Sequence, residues 1–247
     1  MIRRAIELHA TGMTISAVSR ELQLPRGTVK QWLSGDLVGR AAERAAAPSR
    51  CPRCDIPPRP PDDAPAYSHL LGLYLGDGHL VTSARVPVLR IACDNAWPVL
   101  INNCEEAMRR VIATSVQRVP KIGCTSVQSY SKHWPCLLPQ HGPGMKHQRL
   151  IALVHWQQDV VDEFPGDFLR GLFHSDGCRV DNRVVRNEKE YHYSRYMFTN
   201  KSADIMRLCQ ESLDRLGVRW RMCSSVQLSV ARREAVAELD RWVGPKA

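Results

Sequence analysis

Apolar residues along this chain recur first at helical spacing, then lose their period, and then follow a helix-and-strand order that is written twice. Residues 2–10 carry an apolar stripe and stop at Gly12, Thr14 is placed to cap a second helix through Leu22, and Pro25 opens a third that runs to Leu33 and ends at Ser34-Gly35. Ile6, Ile15, Val18, Leu22, Leu24, Val29, Trp32 and Leu33 fall where three short helices bury one shared core. From 36 to 65 the period disappears among Ala, Arg and Pro, with Pro57-Pro58, Pro60-Pro61 and Pro65, so this stretch builds no core and reads as a semi-stiff tether.

Beyond the tether, strand-like alternation at 86–92 precedes a helical stretch at 96–111, and the same pair recurs at 193–199 and 202–216. Further candidate strands follow each helix, ending at 126–132 and 225–230, and a short helix at 156–164 delivers the chain to the second copy. The unit is helix, strands, helix, strands, helix, repeated. The predicted class is α+β, with a first repeat at 66–138, an inter-repeat linker at 139–164, a second repeat at 165–247 and a small all-α domain at 1–35 in front.

Each repeat opens on nearly the same nonapeptide: Leu70-Leu71-Gly72-Leu73-Tyr74-Leu75-Gly76-Asp77-Gly78 and Leu169-Arg170-Gly171-Leu172-Phe173-His174-Ser175-Asp176-Gly177. Small residues four apart, Gly72/Gly76 and Gly171/Ser175, let two helices pack face to face, which brings Asp77 and Asp176 together although they lie 99 residues apart. A carboxylate in a last turn faces the negative end of the helix dipole, and two carboxylates repel each other. A positive group belongs between them, and a divalent cation such as Mg²⁺ is the simplest choice because hard cations take carboxylate oxygens. Gly78 and Gly177 stand where a helix end favours a left-handed residue.

Both nonapeptides resemble the motif of the LAGLIDADG homing endonucleases, and their separation resembles the single-chain members, in which two similar halves stand in for a homodimer. The glycines and the terminal Asp match; Leu75 stands where the motif carries an acid, and Arg170 and His174 depart from its apolar positions. The resemblance implies a pseudo-twofold α+β domain whose two curved sheets straddle DNA, with paired helices at the centre and divalent metal at their ends. It also implies basic residues that stabilise phosphate charge, a role carried here to Lys132 and Arg232, which lie 55 and 56 residues past their aspartates; Arg233 is an equal choice in the second half.

Charge fits a nucleic-acid partner. The chain has 34 Lys+Arg against 25 Asp+Glu, net +9, and residues 1–60 hold ten of those bases against five acids. The front three helices resemble a helix-turn-helix, with Arg26, Thr28, Lys30 and Gln31 on the exposed side of the third as candidate DNA contacts. Within the tether, Cys51-Pro52-Arg53-Cys54 supplies two of the four ligands of a zinc site. His133, Cys136, His141, His147 or another chain would supply the rest; a redox pair and two inert thiols are the other readings. The odd total of nine cysteines argues for free thiols and against a disulfide framework.

No apolar run is long enough for a membrane span and no signal-peptide core opens the chain, so the expected location is cytoplasmic. A protein-splicing element is disfavoured by the Met-Ile start and the Pro245-Lys246-Ala247 end. The reading is a monomeric protein that binds double-stranded DNA and cleaves it by metal-dependent phosphodiester hydrolysis. The alternative is a catalytically silent transcription regulator on the same scaffold. It resembles a family of sporulation regulators that join degenerate halves to a helix-turn-helix, there at the opposite end.

Overall fold

A computed structural model describes residues 2–33, 51, 60–112, 115–186 and 189–246, and the chain divides into two compact units at Arg50/Cys51. Among the described residues no helix is long and apolar enough to cross a membrane. In the first unit, α1 (Ile2–Ala10), α2 (Ile15–Glu21) and α3 (Arg26–Leu33) follow one another closely. Thr14 Oγ1 accepts from Ala17 N at 3.2 Å, fixing the start of α2, and Gly12 makes the preceding turn at φ 90°. Ala5, Val18 and Val29 are fully buried, with Leu8, Met13, Ile15, Leu22, Leu24, Trp32 and Leu33 around them. Ile6 departs from expectation: it is 49% exposed, because Ala5 and Leu8 form the inward stripe of α1 and place Ile6 on the flank.

The second unit repeats one pattern. Its first half runs α4 (Ala64–Asp77), β1 (Gly78–Val81), β2 (Val88–Asp94), α5 (Pro98–Ile112), β3 (Val116–Pro120), β4 (Cys124–Tyr130) and α6 (Trp134–Leu137). After α7 (His155–Glu163) the second half runs α8 (Pro165–Asp176), β5 (Gly177–Arg186), β6 (Lys189–Thr199), α9 (Ala203–Arg215), β7 (Arg221–Ser224), β8 (Gln227–Val230) and α10 (Arg233–Trp242). Both sheets are antiparallel and have the same strand order, β1-β2-β4-β3 and β5-β6-β8-β7. The α+β class and the duplicated order are those predicted. The hairpin β5–β6 is longer than expected, because its outer half carries Asp181, Arg183, Glu190 and His192, which hide the strand pattern.

One face of each sheet packs on helices through Leu80, Leu89, Ile91 and Val127 in the first half and Tyr196, Phe198, Leu228 and Val230 in the second. The other face is polar. Arg90, Gln128 and Gln117 share it on the first sheet, and Asn182, Tyr193 and Arg195 on the second. Tyr191 and Tyr193 stack on that face with ring centroids 6.4 Å apart, both exposed.

At the centre α4 lies against α8, backbone on backbone. A Cβ added to Gly72 would sit 2.4 Å from Phe168 O and 2.9 Å from Gly171 Cα; one added to Gly171 would sit 2.3 Å from His69 O. One turn on, Gly76 faces Ser175, whose Cβ lies 2.2 Å from where a Gly76 Cβ would stand. Tyr67, Leu70, Leu73, Phe168, Leu169 and Leu172 close around this seam and are buried. Gly78 and Gly177 correct the left-handed expectation: their φ values are −86° and −107°, so each leaves its helix directly as extended strand. Glycine is required there for room, since a Cβ would lie 2.5 Å from Tyr74 Cα or 2.7 Å from Phe173 Cα.

Candidate paired-carboxylate site

Asp77 is the last residue of α4 and Asp176 the last of α8, so the packing of Gly72, Gly76, Gly171 and Ser175 carries both carboxyl groups to the same end of the helix pair. A Gly76 Cβ would lie 3.3 Å from Asp176 Oδ2. Asp77 feels the charge of Asp176. Asp77 is solvent-exposed yet surrounded by protein, and its carboxyl is pushed up to about 6, first by lost solvation and then by the charge of Asp176, against the pull of Lys246 and Lys146. Asp176 is half-buried and is also raised by lost solvation, while Asn200 Nδ2 donates to its Oδ2 at 2.7 Å.

Positive charge reaches the site from two lysines. Lys146 Nζ donates to Tyr74 O at 2.5 Å and Gly76 O at 2.7 Å, and Lys246 Nζ donates to Ser175 O at 3.0 Å. Each ammonium thus answers the negative end of one helix, and each reaches the carboxylates through its field. Lys146 lies 5.2 Å from the centre of the Tyr74 ring and lines, with Tyr74, His79, His141 and Arg149, a cleft of about 340 Å³ beside Gly78. Burial lowers Lys146 to about 8, with Asp176 and Asp77 pulling it back up.

Lys132 and Arg232 are not at this site. Lys132 is exposed just past β4, whose Val127 is level with Gly78, so it lies on the order of 15 Å further along the strand direction. Arg232 is exposed at the N-cap of α10, whose other end meets His174 through Val243 O, a helix length of about 15 Å away. Sequence reasoning missed Lys146, Lys246 and Asn200. The two lysines stand 69 and 70 residues past their aspartates, a spacing as regular as the one that pointed to Lys132 and Arg232.

The remaining expected residues are dispersed. On α3, Arg26 and Lys30 are exposed and Thr28 is half-buried; the side chain of Gln31 lies outside the described residues. Cys51 is buried beside His133 and Cys136, and Cys54 lies outside the described residues. His174, the polar intrusion in the second motif, is buried; its Nε2 meets Val243 O at 3.0 Å, and burial lowers it to about 4, so it is neutral.

The hard oxygen donors open to a cation at the end of the helix pair are the two carboxylates, since the Gly76 and Ser175 carbonyls accept from Lys146 and Lys246. This set fits a divalent cation of the Mg²⁺, Mn²⁺ or Ca²⁺ type. A measurable consequence follows from the sign of the Asp77 shift. Its folded value lies above its unfolded one, so its contribution to stability is full below about pH 4 and is lost as pH rises through about 6. In chelator, Asp77→Asn is expected to raise the thermal midpoint of the second unit at about pH 7.5, by an amount that solvent screening of this exposed side chain keeps small, and to leave it unchanged near pH 4. Saturating Mg²⁺ is expected to raise the wild-type midpoint more at about pH 7.5 than at about pH 5, and not that of the variant, in a melting series.

No family model matches the chain, and no curated protein matches it. Solved structures similar to it include meganuclease I-SmaMI bound to uncleaveable DNA, 10% identical, with 69% of this chain and 79% of that chain covered at a TM-score of 0.45. A variant of I-DmoI in complex with its target DNA and manganese is 14% identical, covering 73% and 94% at a TM-score of 0.47. The N-terminal LAGLIDADG domain of DUF199/WhiA is 12% identical, covering 74% and 83% at a TM-score of 0.44.

Proposed function

We propose that this protein binds double-stranded DNA and hydrolyses its phosphodiester bonds with a divalent cation held by Asp77 and Asp176. The observation that carries this reading is the convergence of two aspartates with raised carboxyl pKa values at the tips of helices that touch backbone to backbone. The cation, when bound, supplies an activated water and offsets charge at the leaving oxygen. Asp77 and Asp176 fix its place, and Asn200 orients Asp176 by its 2.7 Å hydrogen bond. Lys146 and Lys246 bring their ammonium groups to the two helix ends, and we assign them the role that Lys132 and Arg232 were expected to fill, offsetting charge that grows on a scissile phosphate. The polar faces of the two sheets offer Arg90, Gln117, Asn182 and Arg195 to base edges and phosphates. The three-helix unit adds Arg26 and Lys30 as a second grip.

A specific observation favours the silent-regulator reading as well. Lys146 and Lys246 already bring positive charge to the helix ends, so the aspartates have partial compensation without a metal. A randomised duplex library separates the two. Incubated with the protein and Mg²⁺, it is expected to yield double-strand breaks at a selected site, while Ca²⁺ or chelator leaves retention without breaks. Selective retention with no breaks in Mg²⁺ or Mn²⁺ would overturn the nuclease reading and leave the regulator; no retention would overturn both.

A further inference from the structure

A cluster of two thiols and an imidazole lies by the turn after β4 and takes no part in the proposed cleavage. Cys51 is only 7% exposed, although it lies within a stretch of sequence, 36–65, that lacks the apolar period of a core. Its Sγ lies 3.2 Å from His133 Nδ1, and the ligand atoms of Cys51, His133 and Cys136 all lie within 4.8 Å of one another. His133 and Cys136 are three residues apart on the turn that opens α6, with Cys136 N donating to His133 O at 3.0 Å, which puts both side chains on one side. That turn is anchored. Trp134 between them is fully buried and donates from Nε1 to Ser129 O at 3.1 Å, and Ser131 Oγ accepts from His133 N at 3.1 Å.

Two thiols and an imidazole form a borderline-soft donor set of the kind that selects zinc over the hard cations suited to the aspartates. Zn–S and Zn–N legs of about 2.3 and 2.0 Å at a tetrahedral angle separate sulfur from nitrogen by about 3.5 Å, close to the spacing found. The sequence adds an independent sign: Cys51-x-x-Cys54 and His133-x-x-Cys136 are both knuckle-spaced pairs. We propose that Cys51, His133 and Cys136 hold a structural zinc ion that pins the N-terminal edge of the second unit to the turn after β4. A disulfide between Cys51 and Cys136 is the competing use of the same thiols.

The full-length protein, purified under reducing conditions, is expected to carry about one zinc per chain by elemental analysis. Asp77→Asn/Asp176→Asn is expected to keep that zinc, and Cys136→Ser to lose it. Thiol modification of the folded wild type with a mercurial is expected to release zinc in step with the thiols blocked, a readout that does not depend on any variant folding. Replacement by Co²⁺ is expected to give the visible and thiolate charge-transfer bands of a tetrahedral sulfur site. Zinc far below one per chain after zinc-supplemented preparation, equal zinc in Cys136→Ser, or a Cys51–Cys136 disulfide recovered by peptide mapping would overturn the proposal. The duplex-cleavage assay fails or succeeds separately, because the aspartate pair is intact in every one of these arms but the first variant.

Discussion

The paired substitution Asp77→Asn/Asp176→Asn is expected to lower duplex cleavage by on the order of 10³-fold or more while leaving duplex affinity at wild-type strength or slightly above it. Asparagine keeps the size of each side chain and removes the anionic oxygens that hold a hard cation. It also removes two negative charges from the surface proposed to approach phosphates, so binding is expected to gain where catalysis is lost. The check is a single-turnover cleavage assay beside a gel-shift titration at one fixed ionic strength. A parallel fall in both would mean that the acids build the binding surface and do not perform the chemistry; no change in cleavage would remove them from the site.

The second large effect concerns the seam. Gly171→Ala is expected to destabilise the second unit by about 3 kcal/mol, lowering its thermal midpoint by roughly 6–12 °C. The new Cβ would stand 2.3 Å from His69 O, 2.7 Å from Leu73 N and 2.8 Å from Gly72 Cα, all backbone atoms that no rotamer change can move. The helices would have to separate, and Asp77 and Asp176 ride on their ends. Cleavage is therefore expected to fall with stability at this site. Gly27→Ala, on α3 with nothing within 4 Å of its new Cβ, is expected to leave that transition unmoved. A Gly171→Ala protein that melts with the wild type by calorimetry would contradict the close seam.

The parts of this molecule that sequence made legible are those written twice. Gly72 and Gly171 announce a close approach because each sits four residues before another small residue in a run of leucines, and the structure has them in backbone contact. The helix-and-strand order was legible for the same reason, since apolar period survives wherever an element packs on a core. The lysines at the site were not legible. Lys146 opens a single 3₁₀ turn (Lys146–Gln148) and Lys246 follows the last helix, so neither lies in a periodic segment, and regular spacing from the aspartates picks Lys132 and Arg232 just as readily. Only the fold decides, because α10 carries the chain back along the sheet and returns Lys246 to the end of α8 where Arg232 had left it.

The glycines after the aspartates carry a related lesson. Asp-Gly after a helix suggests a left-handed cap, yet the chain here goes straight into β1 and β5, and the missing Cβ serves the close passage over Tyr74 and Phe173. Local signal named the right residue for the wrong reason. The length of β5–β6 was hidden by its own exposed surface: charged and aromatic residues such as Arg183, Tyr191 and Tyr193 break the alternation by which a strand is recognised.

One shared cation between two helix tips is what the proposed cleavage requires, and anomalous diffraction from crystals of the full-length protein soaked in Mn²⁺ reports on it directly. The expected result is a manganese peak about 2.0–2.2 Å from a carboxylate oxygen of Asp77 and of Asp176 together. Peaks that touch only one of the two acids, or an empty site with the carboxylates turned apart, would contradict it.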